Sequence, residues 1–243
     1  MREGLFEPLA ECARQIADAV RVHRGRGYSG LRDSQYHLDV AADEVARRVL
    51  LGHGFRVVSE ESGVSGDGEL TVVIDPVDGS TNCDRGVPFY STSLAVLRGA
   101  ELVAGMVVNL ATNTTYWAER GAGATRDGSP IAPSGHTQLA GALMSFSGYP
   151  ERAIEWSQIR ALGAASLEIC LVADGSLDVF AVAQRSTLHP WDYLAGLAIA
   201  RESGAATAEY RGDELVMTDP VGRRPLFAAT NELLKDVLAV GPL

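Results

Sequence analysis

The sequence predicts a mixed protein of the α+β or α/β class, in which a largely antiparallel sheet precedes an α/β half. Short runs rich in β-branched residues follow two helical patterns in the first half of the chain. In the second half, strand patterns alternate with helix patterns, which favours a parallel or mixed sheet covered by helices. The turn-rich stretch 127–140, which contains DGSP and PSG, separates these two patterns.

We therefore expect an N-terminal α+β subdomain at residues 1–132 and a C-terminal α/β subdomain at residues 133–243. Together they are expected to form one compact unit. The chain has 243 residues, of which 46% are hydrophobic, and this is enough for a substantial core.

The first half begins with two predicted helices. Apolar residues at three- and four-residue spacing predict an amphipathic helix over 4–24. The polar, glycine-bearing stretch GRGYSG at 25–30 ends this helix and predicts a mobile loop. A second helix is expected at 40–52, with Gly52 near its end.

Strand patterns follow these helices. FRVVS at 55–59 and LTVVI at 70–74 are rich in β-branched residues. Segments 91–97 and 102–109 flank the turn RGAE, which predicts a β-hairpin, and 114–119 predicts a further antiparallel strand.

The second half contains four strand patterns and four helix patterns. The strands are expected at 142–146, 177–183, 205–210 and 226–230. The helices are expected at 151–161, 165–173, 191–203 (closed by Gly204) and 231–239.

Charge and composition exclude several classes of function. The formal net charge of −10 disfavours nonspecific binding to nucleic acid or to an anionic membrane. It does not exclude an anionic small substrate, because a metal ion inverts the charge locally. No apolar run approaches the roughly 20 residues that a transmembrane helix needs.

The cysteine pattern and the start of the chain indicate a cytoplasmic protein. Three cysteines, Cys12, Cys83 and Cys170, are odd in number and far apart, so no disulfide framework is expected. The opening MREGLFE carries acids where a signal peptide would be basic and then apolar.

Acidic residues directly follow two neighbouring strand patterns. Glu60 comes directly after the first pattern, and Asp75 and Asp78 come after the second, about 15 residues later. If these strands are neighbours in the sheet, the three carboxylates meet and repel one another strongly in a low-dielectric pocket. They would then take up protons or hold a cation, and hard oxygen ligands suit Mg²⁺, Mn²⁺ or Ca²⁺.

The turn after these aspartates has the features of a phosphate site. Pro76 biases Asp75 toward an extended conformation, and Gly79 lets the backbone approach a ligand. The segment 80–82, Ser-Thr-Asn, can cap a short helix whose free N–H groups favour a phosphate. Taken alone, the D-P-x-D-G pattern is also typical of a type I turn, and a Glu-Glu pair is typical of solvated surface.

Three motifs resemble the signatures of the inositol monophosphatase family in their order and spacing. They are EESG at 60–63, DPVDGSTN at 75–82 and PWDYLAG at 190–196. The family comprises Mg²⁺-dependent, lithium-sensitive phosphatases of small phosphorylated polyols and sugars. The resemblance implies an αβαβα layered sandwich of the inositol monophosphatase/fructose-1,6-bisphosphatase type and a homodimer.

The resemblance also implies two or three Mg²⁺ ions, with Mn²⁺ as a substitute. The first ion would be held by Glu60, Asp75 and the Val77 carbonyl. The second would be held by Asp75, Asp78 and Asp192. A third, more weakly held ion would be bound by Glu60 and water.

Catalytic roles are implied in the same way. Asp43, which ends the stretch VAAD, matches the family aspartate that pairs with the hydroxyl now at Ser80. Ser80 would position and help activate the attacking water beside Glu60, and the amides of Gly79 and Ser80 would grip the phosphate. Glu61 is expected to lie behind the metal ligands rather than among them.

Substrate contacts are implied for Gly163 and Ala165, because this stretch matches the backbone that the family uses for sugar hydroxyls. The segment 178–190 puts Val182 where many inositol-specific members have an acid. It also runs a few residues longer, as in members that act on both inositol phosphate and fructose 1,6-bisphosphate. Arg185 is therefore a candidate contact for a second phosphate.

The leading hypothesis is a cytoplasmic Mg²⁺-dependent phosphomonoesterase that acts on an inositol 1-phosphate-type substrate by attack of metal-activated water. Fructose 1,6-bisphosphate, histidinol phosphate or a pathway-specific sugar phosphate are alternative substrates. A non-catalytic regulator that keeps the fold is an alternative of another class, against which the presence of all the expected carboxylates argues. Roles for Arg32, which stands in place of a loop lysine, and for His189 stay open.

Overall fold

Helices and sheets alternate in five layers. The computed structural model describes residues 3–151 and 158–241. In chain order, its helices are α1 (Glu3–His23), α2 (His37–Gly52), α3 (Ser80–Arg85), α4 (Ala165–Ala173), α5 (Pro190–Ser203) and α6 (Asn231–Val240). The layers are α1 with α2, an eight-stranded sheet, α4 with α5, a five-stranded sheet, and α6. The αβαβα sandwich predicted from the sequence is confirmed.

The first sheet has the strand order β2-β1-β3-β4-β5-β6-β7-β8. Its strands are β1 (Arg56–Ser59), β2 (Gly63–Ser65), β3 (Leu70–Asp78), β4 (Ser91–Arg98), β5 (Glu101–Asn109), β6 (Thr115–Glu119), β7 (Ala124–Arg126) and β8 (Ser129–Pro130). The β1 and β3 strands are parallel, with Ser59 opposite Ile74, while the remaining pairs are antiparallel. The residues that follow Ser59 and Ile74 therefore emerge side by side at one edge of the sheet.

The second sheet has the order β10-β9-β11-β13-β12 and is mixed, as the sequence predicts. Its strands are β9 (Leu143–Ser147), β10 (Gln158–Arg160), β11 (Val179–Val182), β12 (Ala206–Glu209) and β13 (Pro225–Ala228). The β9 strand is parallel to β10 and β11, and β13 is antiparallel to β11 and β12.

The strands bury both of their faces because successive side chains point to opposite sides of the sheet. Val72 belongs to the core beneath α1 and α2, whereas its neighbour Val73 belongs to the core around α4 and α5. In the second sheet, Phe180 faces α4 and α5, and Ala181 faces α6. The central helices are therefore apolar on most sides, as expected for helices between two sheets.

Most predicted elements are confirmed within a few residues, including the β4–β5 hairpin and helices α1, α4, α5 and α6. Helix α2 begins at His37, three residues before the predicted start at 40, and this difference affects the site. The short strands β2, β7 and β8 were not predicted, since two or three residues carry too little pattern. The division at residues 132 and 133 stays a prediction.

The helix predicted at 151–161 is wrong where the structure describes it. Residues 152–157 lie outside the described residues, and Gln158–Arg160 forms strand β10. This strand pairs in parallel with β9, with Gln158 opposite Leu143. Pairing with a sheet edge overrides a weak local helix pattern.

In the two ranges that the structure describes, no helix is both long enough and apolar enough to cross a lipid bilayer.

The contact between β5 and α5 gives a test of the packing between layers. A Cβ added at Gly105 would lie 2.5 Å from the carbonyl oxygen of Ala195 and 2.8 Å from the Cβ of Ala198. Because these are atoms of a buried helix, we expect Gly105→Ala to lower the free energy of unfolding by about 1–3 kcal/mol. Urea denaturation measures this change.

The control is Gly52→Ala, at the end of α2, where an added Cβ meets no atom within 4 Å. This change should leave the free energy of unfolding unchanged or raise it slightly, because alanine favours the helix. Equal losses in the two variants would contradict the close approach of α5 to β5.

Candidate active site

Three acids from separate segments converge at the edge where β1 and β3 end. Glu60 directly follows β1, and its backbone N–H donates to the carbonyl oxygen of Ile74 at 3.2 Å. Asp75 lies in β3, and Asp192 lies in the first turn of α5. One carboxylate oxygen from each of Glu60, Asp75 and Asp192 lies within 4.8 Å of the others. These three residues are called the acidic triad below.

The acidic triad is under electrostatic strain. Asp75 is only 4% exposed, and burial, followed by the charge of Glu60, raises its pKa well above the usual range. Burial and Glu60 likewise raise the pKa of Asp192. Glu60 lies at the exposed rim, yet loss of water around its carboxyl group, followed by the charge of Glu61, raises its pKa to about 7.

This donor set fits a divalent cation. Carboxylate oxygens are the ligands that Mg²⁺, Mn²⁺ and Ca²⁺ prefer. A cation placed among them would relieve their mutual repulsion and would compensate for their removal from water. The metal site predicted from the sequence therefore agrees with the geometry of Glu60, Asp75 and Asp192.

A bulge in β3 turns the two aspartates in different directions. Asp75 pairs with Ser93 of β4 and Asp78 pairs with Ser91, so β3 carries one extra residue between them. Pro76 lies in this interval and has no N–H to offer the ladder, which explains the irregularity. The N–H of Val77 donates to Asp75 Oδ1 at 2.9 Å.

The carbonyl oxygen of Val77 accepts a hydrogen bond from Ser80 Oγ at 2.9 Å. A carbonyl oxygen has two lone pairs, so this contact leaves one for a metal ion. The role of Val77 as a ligand stays a prediction.

Asp78 faces the start of α4 rather than the acidic triad. It accepts from the N–H of Ala165 at 3.1 Å, and from the N–H and Oγ of Ser166 at 2.7 and 2.6 Å. Burial raises its pKa to about 6, while the contacts with Ser166 oppose the rise. Its charge still raises the pKa of Asp75 and Asp192, so Asp78 lies next to the triad.

A cavity of about 300 Å³ opens beside these acids. Asp78, Asp192, Gly163 and Ala165 are among the residues that line it. The predicted substrate-binding backbone and two of the predicted metal ligands therefore share one cavity. Their individual roles stay predictions.

The turn at Gly79 lies against this cavity wall. Gly79 precedes α3 with φ +87°, and a Cβ there would lie 2.9 Å from the carbonyl oxygen of Gly163. Only glycine satisfies both the backbone angle and the close approach. The predicted contacts of the Gly79 and Ser80 amides with phosphate stay predictions.

Glu168 and Asn82 hold the loop that carries Gly163. The carboxylate of Glu168 accepts from the N–H groups of Leu162 and Gly163, both at 3.2 Å, and burial raises its pKa to about 7. Asn82 donates to the carbonyl oxygen of Leu162 at 2.7 Å. The sequence analysis missed Glu168, although a single acid in the apolar helix ASLEICLVA is a detectable signal.

Asp43 has two other serine partners besides the predicted Ser80, and its pairing with Ser80 stays a prediction. Asp43 Oδ1 accepts from Ser59 Oγ at 2.5 Å and from Ser62 Oγ at 3.0 Å. These contacts brace the segment after β1.

Asp39, one helical turn earlier, lies beside Ser80. Burial raises the pKa of Asp39 to about 6, and the Ser80 hydroxyl is close enough to oppose this rise. Asp39 and Asp43 share a helix face, so the spacing alone could not separate them. With α2 predicted to begin at 40, Asp39 fell outside the helix and was overlooked.

Glu61 lies next to Glu60 and holds the loop before α2, while its predicted place behind the metal ligands stays a prediction. Its carboxylate accepts hydrogen bonds from Arg32 and Gln35. Arg32 therefore has an acidic partner of its own. Asp84 holds the other end of this loop by accepting from the N–H groups of Gly25 and Gly27. The mobility predicted for the loop is not tested by these contacts.

Arg185 and His189, both near the start of α5, differ in their relation to the site. The Arg185 side chain is 87% exposed, forms an ion pair with Glu151, and does not line the cavity. The backbone N–H of His189 donates to Asp192 Oδ2 at 2.6 Å, and its ring stacks on Trp191. His189 thus orients a member of the acidic triad, whereas this arrangement gives Arg185 no contact in the cavity.

Comparisons with known proteins agree with this geometry. A model of the inositol monophosphatase family matches residues 29–239. A fructose-1,6-bisphosphatase/inositol-1-monophosphatase of Archaeoglobus fulgidus is 36% identical over 181 residues, covering 73% of this chain and 71% of the relative. The Nus factor SuhB of Xylella fastidiosa is 28% identical over 200 residues, covering 74% and 72%.

A solved structure has the same arrangement. It is a hypothetical protein of Pyrococcus horikoshii with similarities to inositol-1 monophosphatase. The two structures superpose with a TM-score of 0.79 at 26% identity, covering 93% of this chain and 96% of the other.

The raised pKa values give a test on metal-free protein. Glu60 and Asp78, with pKa values of about 7 and 6, hold protons in the folded state at pH values where the unfolded chain has released them. The free energy of unfolding should therefore fall as the pH rises from about 4 to about 7. Chemical denaturation in EDTA measures the slope.

Asp75→Asn is the matched variant, because it removes one charge and keeps the shape of the side chain. It should flatten the fall with pH, and Mg²⁺ should restore stability to the wild-type protein above pH 7. A metal-free wild-type protein whose stability rises across this window would contradict the charge repulsion.

Proposed function

Since the chain belongs to the inositol monophosphatase family, whose members are phosphatases, we propose that it is a Mg²⁺-dependent phosphomonoesterase. Its substrate is a small phosphorylated polyol or sugar of the inositol 1-phosphate type. The observation that supports this most directly is the convergence of Glu60, Asp75 and Asp192 beside a cavity lined by Gly163 and Ala165.

The residues that would hold the ions are those that converge at this edge. Glu60, Asp75 and the Val77 carbonyl would hold the first ion, and Asp75, Asp78 and Asp192 would hold the second. Bound divalent cations supply positive charge that lowers the pKa of water and offsets the charge that develops on a phosphate ester.

Ser80 and Asp39 carry the proton-handling part of the proposal. The single hydroxyl proton of Ser80 goes to the Val77 carbonyl oxygen in this structure, and Asp39 lies close enough to accept that proton when the carbonyl binds the first ion. A lone pair of Ser80 Oγ would then accept a hydrogen bond from the attacking water and orient it. The N–H groups of Gly79 and Ser80, at the start of α3, would bind phosphate oxygens.

The cavity favours a single-ring monophosphate. Its volume of about 300 Å³ lies at the small end of ligand pockets. Arginine and lysine are absent from its described lining, so the structure offers no cation for a second phosphate there.

Fructose 1,6-bisphosphatase activity is the second candidate, because the Archaeoglobus fulgidus relative is named for both activities. Histidinol phosphate and other sugar phosphates belong in the same screen. We extend the proposal to a homodimer, on the family resemblance, and to the cytoplasm, on the three separate cysteines.

The test is phosphate release from a panel of phosphorylated metabolites, with and without Mg²⁺. We expect release that requires Mg²⁺ and is fastest with inositol 1-phosphate. Asp75→Asn should lower turnover roughly 10³-fold or more, because it removes a ligand proposed for both ions. Asp18→Asn, on the exposed face of α1, should leave turnover unchanged.

No release from any panel member, with Mg²⁺ bound, would overturn the proposal and favour the non-catalytic alternative.

The choice between Asp39 and Asp43 gives a second test. Asp39→Asn should lower kcat by roughly 10²–10⁴-fold, the usual contribution of a positioned proton-transfer group. Asp43→Asn should lower it less, since Asp43 braces Ser59 and Ser62. Steady-state kinetics of both variants measures the difference, and a greater loss in Asp43→Asn would favour Asp43 as the partner of Ser80.

A further inference from the structure

Asp78 is held by a buried chain of hydroxyl groups that the proposed reaction does not use. Ser166 Oγ donates to Asp78 Oδ2 at 2.6 Å. Ser91 Oγ lies 2.8 Å from Ser166 Oγ, and both serines are completely buried. The three side chains come from β3, β4 and α4, so the chain of contacts joins the sheet to the central helix layer.

The direction of these hydrogen bonds follows from the number of protons. An ionised carboxylate only accepts, so the single hydroxyl proton of Ser166 goes to Asp78. Ser91 also lies close enough to Asp78 for a hydrogen bond that opposes the rise of its pKa, so the Ser91 proton goes either to Ser166 Oγ or to Asp78. In both arrangements the two hydroxyl groups stabilise the ionised Asp78 carboxylate.

This chain of hydroxyl groups affects one of the two proposed metal positions. Asp78 is turned toward α4, outside the acidic triad of Glu60, Asp75 and Asp192. In the proposed function, the first ion does not need Asp78, whereas the second ion does. A group that fixes the direction of Asp78 therefore affects the two ions unequally.

We propose that Ser166, supported by Ser91, is a positioning residue that sets the direction of the Asp78 carboxylate and thereby the affinity of the second ion. Hydrogen bonds behind a metal ligand orient it, and their loss typically weakens metal binding roughly 10- to 100-fold. The N–H groups of Ala165 and Ser166 still hold Asp78 in a Ser166→Ala variant. The expected effect is therefore at the lower end of that range.

The inference rests on the proposed function only in taking Asp78 as a ligand of the second ion. The test is a titration of the whole, substrate-free protein with Mn²⁺, followed by calorimetry and by electron paramagnetic resonance. The wild-type protein should bind two classes of Mn²⁺. Ser166→Ala should weaken the weaker class roughly tenfold and leave the tighter class within twofold.

The Ser91 variants show whether Ser91 acts on Asp78 only through Ser166 or also by a contact of its own. Ser91→Ala should weaken the same class by a smaller factor, because Ser166 keeps its contact with Asp78. The double variant should weaken this class more than Ser166→Ala does, because Ser91 also lies within hydrogen-bond reach of Asp78. If Ser166→Ala does not fold, the Mn²⁺ affinities of Ser91→Ala alone test the inference.

The matched control is Ser145→Ala in β9. Ser145 is also completely buried, and its hydroxyl has no hydrogen-bond partner among the described residues. This change should leave both Mn²⁺ classes unchanged. Binding by Ser166→Ala or Ser91→Ala that equals the control, equal weakening of both classes, or a single class in the wild type would each overturn the inference.

The outcome is separable from the proposed function. Selective weakening by Ser166→Ala, in a protein that releases no phosphate, would support the inference and remove the function. Mg²⁺-dependent phosphate release, together with unaltered Mn²⁺ binding in both serine variants, would support the proposed function and overturn the inference.

Discussion

Repulsion among buried carboxylates is the constraint on which the rest of the site depends. Glu60, Asp75 and Asp192 come from a loop, a strand and a helix; the charge of Glu60 raises the pKa of both aspartates, and that of Asp192 raises the pKa of Asp75. Bringing them together opposes folding, so the surrounding layers must hold them in place. The parallel pairing of β1 with β3, with α5 packed between the sheets, provides that support.

Hydrogen bonds around the acids decide how each one is used. His189 donates to Asp192, and Val77 donates to Asp75, so both members keep a fixed direction. Asp78 is instead satisfied by the start of α4. The acids of the site therefore fall into two groups. Glu60, Asp75 and Asp192 converge, whereas the direction of Asp78 depends on α4, in another layer of the fold.

Close backbone approach completes the cavity. Gly79 lies against Gly163, while Glu168 and Asn82 hold the loop that carries Gly163. The proposed phosphate-binding turn and the proposed substrate-binding loop are therefore fixed relative to each other. A small cavity with rigid walls is consistent with a small substrate.

The sequence alone determined most helices and strands, the acids at strand ends and the three motifs, whose resemblance to the family implied the five-layer fold. These features are local, because β-branched runs, helix periodicity and contiguous motifs can be read within a short window. Tertiary structure decided that Asp39 comes near Ser80 while Asp43 contacts Ser59 and Ser62, because the two aspartates lie on one helix face and only the docking of α2 separates their surroundings. It also decided that Ser166 meets Asp78, since the two positions are 88 residues apart in the chain and no local pattern reports such a contact.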